Sequence, residues 1–534
     1  MDNPSIQIAR FEVHNFELPS DTVHENPFAV QLSATFTHAS GVTLKVPGFY
    51  DGNGVWQIRF SPTLEGAWRG VVASDDAILA GVGDLFVACL PNENTRVHGR
   101  LVVDEKTPHR FLFEDGSVCI PLGFEWDWMT AYHQVHGGEE TVDRENPTFD
   151  EAVDLLCDGG FNYVMANLYA HYYHRTEISE RTENYLYQRP EHYLFDGTND
   201  DPDHTRLNVG FFQMFDRAVA ALHERGVVLH LMIQVQNKKV NWPEWLSDED
   251  DQFWAYVIKR YQAYSNVIWD ISKETYNLLN RSGSHDYALS RIALIREVDG
   301  YGNLITAHDT ERESWGKETV VDAACDFVSD QVKFGGTVEG WEMASAYKLN
   351  REAVRRWRNI EKPYLNMEYG YEVGEPPLAA PIPKMTMSGE TMLLWTWALY
   401  VGGAYANYYY CNTSWDINRF YPIPESWTRF RFLTDFLTLM DFNCLVPDND
   451  YVDRGMCSAE PGKQYFVFLP EGGNTQIDLS TIESGANVSV VWMDIWTGER
   501  VEEDVADLKF TTGLGNPLSN SDAPCVFYLN VKAG

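Results

Sequence analysis

Between about residue 118 and residue 410 the chain repeats one unit eight times: a short apolar run that turns polar at its end, then an amphipathic stretch. The first runs are Ile120-Pro-Leu-Gly-Phe, Phe161-Asn-Tyr-Val-Met-Ala, Val227-Val-Leu-His-Leu-Met-Ile and Val267-Ile-Trp-Asp-Ile. Leu304-Ile-Thr-Ala-His-Asp, Asp326-Phe-Val-Ser-Asp, Tyr364-Leu-Asn-Met-Glu and Tyr405-Ala-Asn-Tyr-Tyr-Tyr follow. Brief apolar runs bounded by turn residues are the pattern of strands buried on both faces. Between them apolar residues recur at helical spacing, as in Phe211, Phe212, Phe215, Val219 and Leu222, which Gly226 ends. Further helices are expected over 286–298, 341–359 and 388–402. Eight strand–helix beats in roughly 300 residues are the scale and alternation of a (β/α)8 barrel.

A chain of 534 residues is too long for one core. Before the barrel, residues 8–90 alternate in the β fashion, for example Phe28-Ala-Val-Gln-Leu-Ser-Ala-Thr-Phe-Thr and Trp56-Gln-Ile-Arg-Phe, with turn signals such as Tyr50-Asp-Gly-Asn-Gly. Alternation returns after an amphipathic segment at 424–441, in Tyr465-Phe-Val-Phe-Leu, Val488-Ser-Val-Val-Trp-Met and Cys525-Val-Phe-Tyr-Leu. The expectation is an N-terminal β-sandwich over 1–95, a catalytic barrel over 96–445 and a small antiparallel β-domain over 446–534.

Charge removes several classes of partner. With 41 basic and 78 acidic residues the formal net charge is −37, which repels a phosphate backbone, so nucleic acid is not expected as a partner. No run approaches the ~18 apolar residues of a membrane span. The start, Met-Asp-Asn-Pro-Ser-Ile-Gln, lacks the pattern of a signal peptide, and eight scattered cysteines read as reduced core residues; both suggest a cytoplasmic protein. A secreted protein with its signal removed would read alike. A homo-oligomer is compatible with this composition. Motifs for nucleotide, zinc-peptidase and serine-hydrolase chemistry are missing, and no cofactor is implied.

What remains is a pair of carboxylates. Glu274 closes the fourth strand-like run, in Trp269-Asp-Ile-Ser-Lys-Glu, and Glu368 closes the seventh, in Tyr364-Leu-Asn-Met-Glu-Tyr-Gly-Tyr. The C-terminal ends of barrel strands form the active face, and two carboxylates brought there can break a glycosidic bond. These two segments resemble the acid/base and nucleophile strands of the clan A retaining glycosidases, whose acid/base ends strand four and whose nucleophile ends strand seven. The whole layout is similar to a group of bacterial glycosidases of the apiosidase-like type. The resemblance implies Glu274 as acid/base and Glu368 as nucleophile, with a carbohydrate as partner. One position departs from the pattern: many clan A enzymes carry Asn before the acid/base, where this chain has Lys273. A cation there could donate to a sugar hydroxyl, but it would also favour the ionised form of Glu274.

Other run ends supply candidate sugar ligands. Glu125, Trp126, Asp127 and Trp128 follow the first run; Asn167, Tyr169 and His171 follow the second, opening a long loop to about 208. Gln234 follows the third run, with Gln236 and Asn237 beside it; His308 and Asp309 end the fifth and Asp330 and Gln331 the sixth. Tyr369 flanks Glu368, and Trp415 follows the eighth run. His171 and His174 lack a third ligand nearby, so no metal is expected. The sequence thus reads as a retaining hydrolase of a neutral oligo- or polysaccharide, exo-acting if the sandwich narrows the cleft. Two alternatives stay open: an inverting enzyme with Asp270 or Asp309 as the acid, or a carbohydrate-binding protein on a barrel without activity.

Overall fold

The computed structural model describes residues 6–136, 146–171, 190, 192–279, 283–310, 318–332, 341–374, 386–414, 417–483, 486–505 and 511–532. The eight apolar runs form one parallel sheet. Its strands, in chain order, are Leu122–Glu125, Tyr163–Asn167, Val228–Val235, Val267–Lys273, Ile305–Thr306, Val328–Asp330, Tyr364–Asn366 and Tyr405–Tyr408. Their order around the barrel is five, four, three, two, one, eight, seven, six. Every residue of the third and fourth strands is buried, which is why those stretches read as continuous apolar runs rather than alternating ones.

The backbone ladder does not close between the fifth and sixth strands. That seam is held by individual bonds. Asp326 N donates to Ile305 O at 2.8 Å and Asp309 N to Ser329 O at 2.7 Å. Thr306 Oγ1 donates to Phe327 O at 3.0 Å, and Ile305 N donates to Asp326 Oδ2 at 2.7 Å.

The expected helices appear with small shifts at their ends. Helix Phe149–Asp158 starts at Thr148, whose hydroxyl accepts from Glu151 N while the Glu151 carboxylate accepts from Thr148 N, a capping box. Val209–Glu224 is capped by Asn208, and Gly389–Val401 by Ser388. The last of these is apolar on every side, because both its faces are covered. One lies on the barrel and the other on a six-stranded antiparallel sheet that runs from Val446–Pro447 to Cys525–Val531. There Trp397 sits 6.1 Å from the Phe466 ring, and Ser458 Oγ donates to Val401 O at 2.6 Å.

At the N-terminal end of the barrel a three-stranded sheet, Leu101–Val103, Phe111–Phe113 and Val118–Cys119, acts as a plug. Phe111 packs 5.4 Å from Phe327 and 5.3 Å from Tyr405, both at strand starts. Residues 6–90 form a five-stranded and a three-stranded sheet around their own core of Phe36, Ile58, Phe60 and Trp68. They dock on outer helices. Arg59 pairs with Asp216 at 2.7 Å, and Arg260 in helix Asp248–Tyr261 pairs with Asp216 at 2.7 Å and with Asp51 at 2.8 Å. These contacts lie against outer helices, and neither Glu274 nor Glu368 takes part in them. The long loop after the second strand contains a hairpin, Phe195–Gly197 with Pro202–Leu207, which the sequence pattern did not reveal.

Candidate active site

Glu274 stands one residue beyond the fourth strand, with φ of 49°. Neighbouring side chains along a strand point to opposite faces, and the left-handed backbone at Glu274 ends the strand there, so Glu274 and Lys273 take different surroundings. Three amide groups hold the Glu274 carboxyl. Asn237 Nδ2 donates to Oε2 at 2.6 Å, Asn277 Nδ2 to Oε2 at 3.1 Å, and Gln331 Nε2 to Oε1 at 3.1 Å. Gln331 Nε2 also stands 3.2 Å from His308 Nε2. Glu274 therefore has its orientation fixed by residues following the third, fourth and sixth strands. Of these donors, Asn237 and Gln331 were visible in the sequence only as polar residues at run ends, and Asn277 not at all.

Glu368 lies two residues past the seventh strand and is 4% exposed. Its backbone N–H donates to Asn366 Oδ1 at 3.3 Å. Asn366 also bonds the main chain of Val332 in both directions, tying the ends of strands six and seven together below the carboxylate.

Lys273 turns away from Glu274 into a buried network of its own. Its ammonium is ion-paired with Glu125 and stands 2.9 Å from Asp127 Oδ1. Asn407 Nδ2 donates to Glu125 Oε2 at 3.0 Å, Tyr409 OH to Asp127 Oδ2 at 3.2 Å, and Asn167 Nδ2 to Asp127 O at 3.0 Å. Lys238 approaches Asp127 Oδ2 at 4.0 Å and lies 5.2 Å from the centre of the Trp128 ring. Burial pushes Glu125 well above the usual carboxylate range, against the pull of Lys273 and helped by the charges of Asp127 and Glu368. Burial also acts to raise Asp127, but Lys273 and Lys238 overcome it and hold that carboxyl below its usual range. Lys273 is raised well above the ordinary lysine value: burial opposes its charge, and Asp127 and Glu125 outweigh burial. Burial thus favours the protonated form of Glu125, while the two lysines favour the ionised form of Asp127.

Several expected sugar ligands have other occupations. Trp126 is a core residue, stacked on Phe149 with ring centres 5.4 Å apart, its indole N–H donating to Asn418 Oδ1 at 2.9 Å. Tyr369 points to the helix behind it, its hydroxyl 2.6 Å from Thr396 Oγ1. Asp330 is ion-paired with Arg356 of helix Trp341–Asn359; burial raises its carboxyl to about 6 against that cation. Gln234 Nε2 donates to buried Asp250 at 3.4 Å. Asp270 accepts from Ser272 N at 3.0 Å and His308 N at 3.1 Å, and stands 2.5 Å from His230 Nε2. It belongs to the barrel wall. In each case the residue lies on a strand or just past its end but its side chain is engaged elsewhere, a distinction that sequence position alone does not contain.

Tyr169 packs edge-on against Tyr193 and Phe211, its hydroxyl 3.3 Å from His171 Nδ1. Asp309 also has positive φ, 50°, at the barrel seam. His174 and Trp415 lie outside the described residues. A carboxylate the sequence reading missed is Glu372, four residues after Glu368. It is buried beneath Tyr408 and Ser426, whose hydroxyls bond it at 2.7 and 2.5 Å. Its setting in Tyr369-Gly-Tyr-Glu372, an aromatic stretch, was the available signal. Among the described residues, no group of three histidine, cysteine or acidic side chains is placed to hold a metal ion, and no helix is long and apolar enough to cross a membrane.

A strand-four glutamate and a strand-seven glutamate on one barrel face also lie inside the region shared with a known family. The apiosidase-like catalytic domain family matches residues 148–429, more than half of the 534-residue chain. The chain belongs to that family. It is a glycoside hydrolase. Glu125, Asp127 and the first barrel strand precede the matched region, whereas Lys273, Glu274 and Glu368 lie within it. Ahead of it, a domain of unknown function, DUF5060, matches residues 7–75.

Among solved structures, a Bacteroides vulgatus protein provisionally described as a glycoside hydrolase aligns over 98% of this chain and 100% of its own, with 20% identity and a TM-score of 0.76. A Bacteroides vulgatus glycoside hydrolase of family 5 covers 82% of this chain and 95% of its own, at 15% identity and a TM-score of 0.60. A third, a glycoside hydrolase, covers 81% and 97%, at 14% identity and 0.58. At such identities the likeness is one of fold, and it extends across the sheets flanking the apiosidase-like barrel. No curated protein matches the chain.

Proposed function

We propose that this apiosidase-like enzyme is a retaining, exo-acting hydrolase of neutral glycans, with Glu368 as nucleophile and Glu274 as acid/base. The observation that carries the reading is the pair itself: one carboxyl beyond strand four, oriented by three amides, and one buried beyond strand seven beside a lysine-centred network. Two carboxyls in those positions divide the labour of a double displacement. Glu368 attacks the anomeric carbon while Glu274 gives its proton to the departing oxygen; Glu274 then takes a proton from the water that releases the sugar.

The three amide donors favour negative charge on Glu274, and the charge of Glu368 across the site opposes it. Once Glu368 is esterified its charge is gone. Glu274 is then free to act as a base at the step that needs one.

Asp270, the alternative acid, is committed to His230 and two main-chain amides, which favours Glu274. The family's description places apiosides among the substrates to test first. A screen over aryl glycosides and plant oligosaccharides, with the anomer of the first product followed by NMR, tests the proposal. Retained configuration, release of single sugars from chain ends, and loss of turnover in Glu368→Gln are expected. Inverted product would remove Glu368 from the nucleophile role. Glycan binding without cleavage by the wild type would favour a binding protein instead.

A further inference from the structure

A second cleft lies where the C-terminal sheet meets helix Gly389–Val401. Its volume is about 530 Å³, within the range of small-molecule sites, and it opens at a junction between two packed layers, a common place for such sites. Trp496 forms one wall. Glu342, Ser388 and Glu390 contribute the barrel side, and Thr497 and Asn520 the C-terminal side.

The open valences in this cleft are of several kinds. The Trp496 indole is only half-buried and its N–H makes no bond among the described residues, as is true of Trp397 in the core, whereas Trp126, Trp242, Trp254, Trp269, Trp395, Trp427 and Trp492 all donate theirs within the protein. The Glu342 and Glu390 carboxylates and the Asn520 amide N–H₂ make no side-chain bond among the described residues. The cleft therefore offers a ring face, unused donors and unused acceptors together.

The ring is also held firmly. Asp494 Oδ1 accepts from both Trp496 N and Thr497 N at 2.8 Å, fixing the turn after strand Val488–Asp494, and Gly498 with φ of 72° completes it. Arg429 of helix Glu425–Leu437 lies 5.4 Å from the indole centre and braces the ring from the barrel side. A fixed aromatic plate loses little conformational entropy when a ligand settles on it.

We propose that this cleft is an accessory binding site for a neutral oligosaccharide. A tryptophan face packs against the C–H side of a pyranose, the two glutamates accept from sugar hydroxyls, and the indole N–H and Asn520 donate to them. Carboxylates at the rim, in a chain of net charge −37, turn away uronate-rich or sulfated chains. A glycan held there keeps its polymer near the enzyme while the barrel acts on chain ends, which raises the local concentration of ends. The site goes beyond the proposed reaction and stands whether or not Glu368 is a nucleophile.

Affinity gel electrophoresis tests it without turnover. The full-length protein is run through gels containing xylan, galactomannan, arabinogalactan or mixed-linkage β-glucan, and through a gel containing polygalacturonate. At least one neutral polymer should retard the wild type and the Glu368→Gln variant alike. Trp496→Ala should weaken that retardation about tenfold or more, a loss of about 1.4 kcal/mol or more. Glu390→Ala with Asn520→Ala, both on the exposed rim, should weaken it without touching the core, which guards against a folding defect in Trp496→Ala. Melting temperature and hydrolysis of a small aryl glycoside should stay at wild-type values in the rim variant. Unchanged retardation in both variants, no retardation by any neutral polymer, or equal retardation by polygalacturonate would overturn the proposal. A wild type that is retarded but cleaves nothing would count against the proposed reaction and leave the cleft standing.

Discussion

Glu372 should make the stability of this protein fall as pH rises through the neutral range. Its carboxyl is buried four residues after Glu368, and burial raises it to about 7 although the Ser426 and Tyr408 hydroxyls oppose the shift. In the unfolded chain the same group titrates near 4.5. Below that pH it is protonated in both states and has no effect. Between about 4.5 and 7 the folded chain holds a proton that the unfolded chain has released, so stability drops across that window. At 1.36 kcal/mol per pH unit the loss reaches about 3 kcal/mol by pH 8. Glu372→Gln cannot ionise and fills the same space, so the variant escapes the loss. Urea unfolding followed by tryptophan fluorescence, with wild type and variant compared at each pH, isolates this group because other titrations cancel in the difference. The variant should gain about 3 kcal/mol relative to wild type between pH 4.5 and pH 8. A difference that is flat with pH, or a gain in the opposite direction, would refute the reasoning.

Three further outcomes follow from the site. Lys273→Met leaves Glu125 and Asp127 buried without their shared cation and should cost about 3–5 kcal/mol at pH 7; calorimetry should show much of this restored in the triple variant with Glu125→Gln and Asp127→Asn. Arg356→Leu strands Asp330 in the same way and should lower the melting temperature by several degrees, for about 3–5 kcal/mol. Glu274→Ala should slow substrates with poor leaving groups far more than nitrophenyl glycosides, and added azide should restore turnover with formation of a glycosyl azide of retained configuration; absence of rescue would count against Glu274 as acid/base.

The barrel was legible because its strands are buried on both faces and its helices on one, so period and length separate the two without reference to partners. Glu274 and Glu368 were legible for the same reason, as the polar ends of apolar runs. The fifth strand was read as six residues, Leu304 to Asp309, but only Ile305–Thr306 pair. The positive φ at Asp309 and the open ladder beside it are not written in side-chain type. Lys273 shows the limit most clearly. Adjacency to Glu274 suggests a shared role, yet neighbours along a strand face opposite ways, and Glu125 and Asp127 claim the ammonium from about 150 positions away. Trp126, Tyr369 and Asp330 read as sugar ligands because they follow a strand, flank Glu368 or end a strand. Their partners, Asn418, Thr396 and Arg356, come from elements no local pattern connects to them.

The seam between the fifth and sixth strands has a mechanical consequence. His308 follows the strand on one side of it and Gln331 the strand on the other, and Gln331 reaches both His308 and Glu274. Elsewhere the wall resists spreading, because a continuous ladder must rupture before two strands part. Here, among the described residues, a few separate bonds join the two strands, Thr306 Oγ1 among them. The wall therefore has its fewest backbone bonds beside Glu274, whereas Glu368 follows a strand that is laddered to a neighbour on each side.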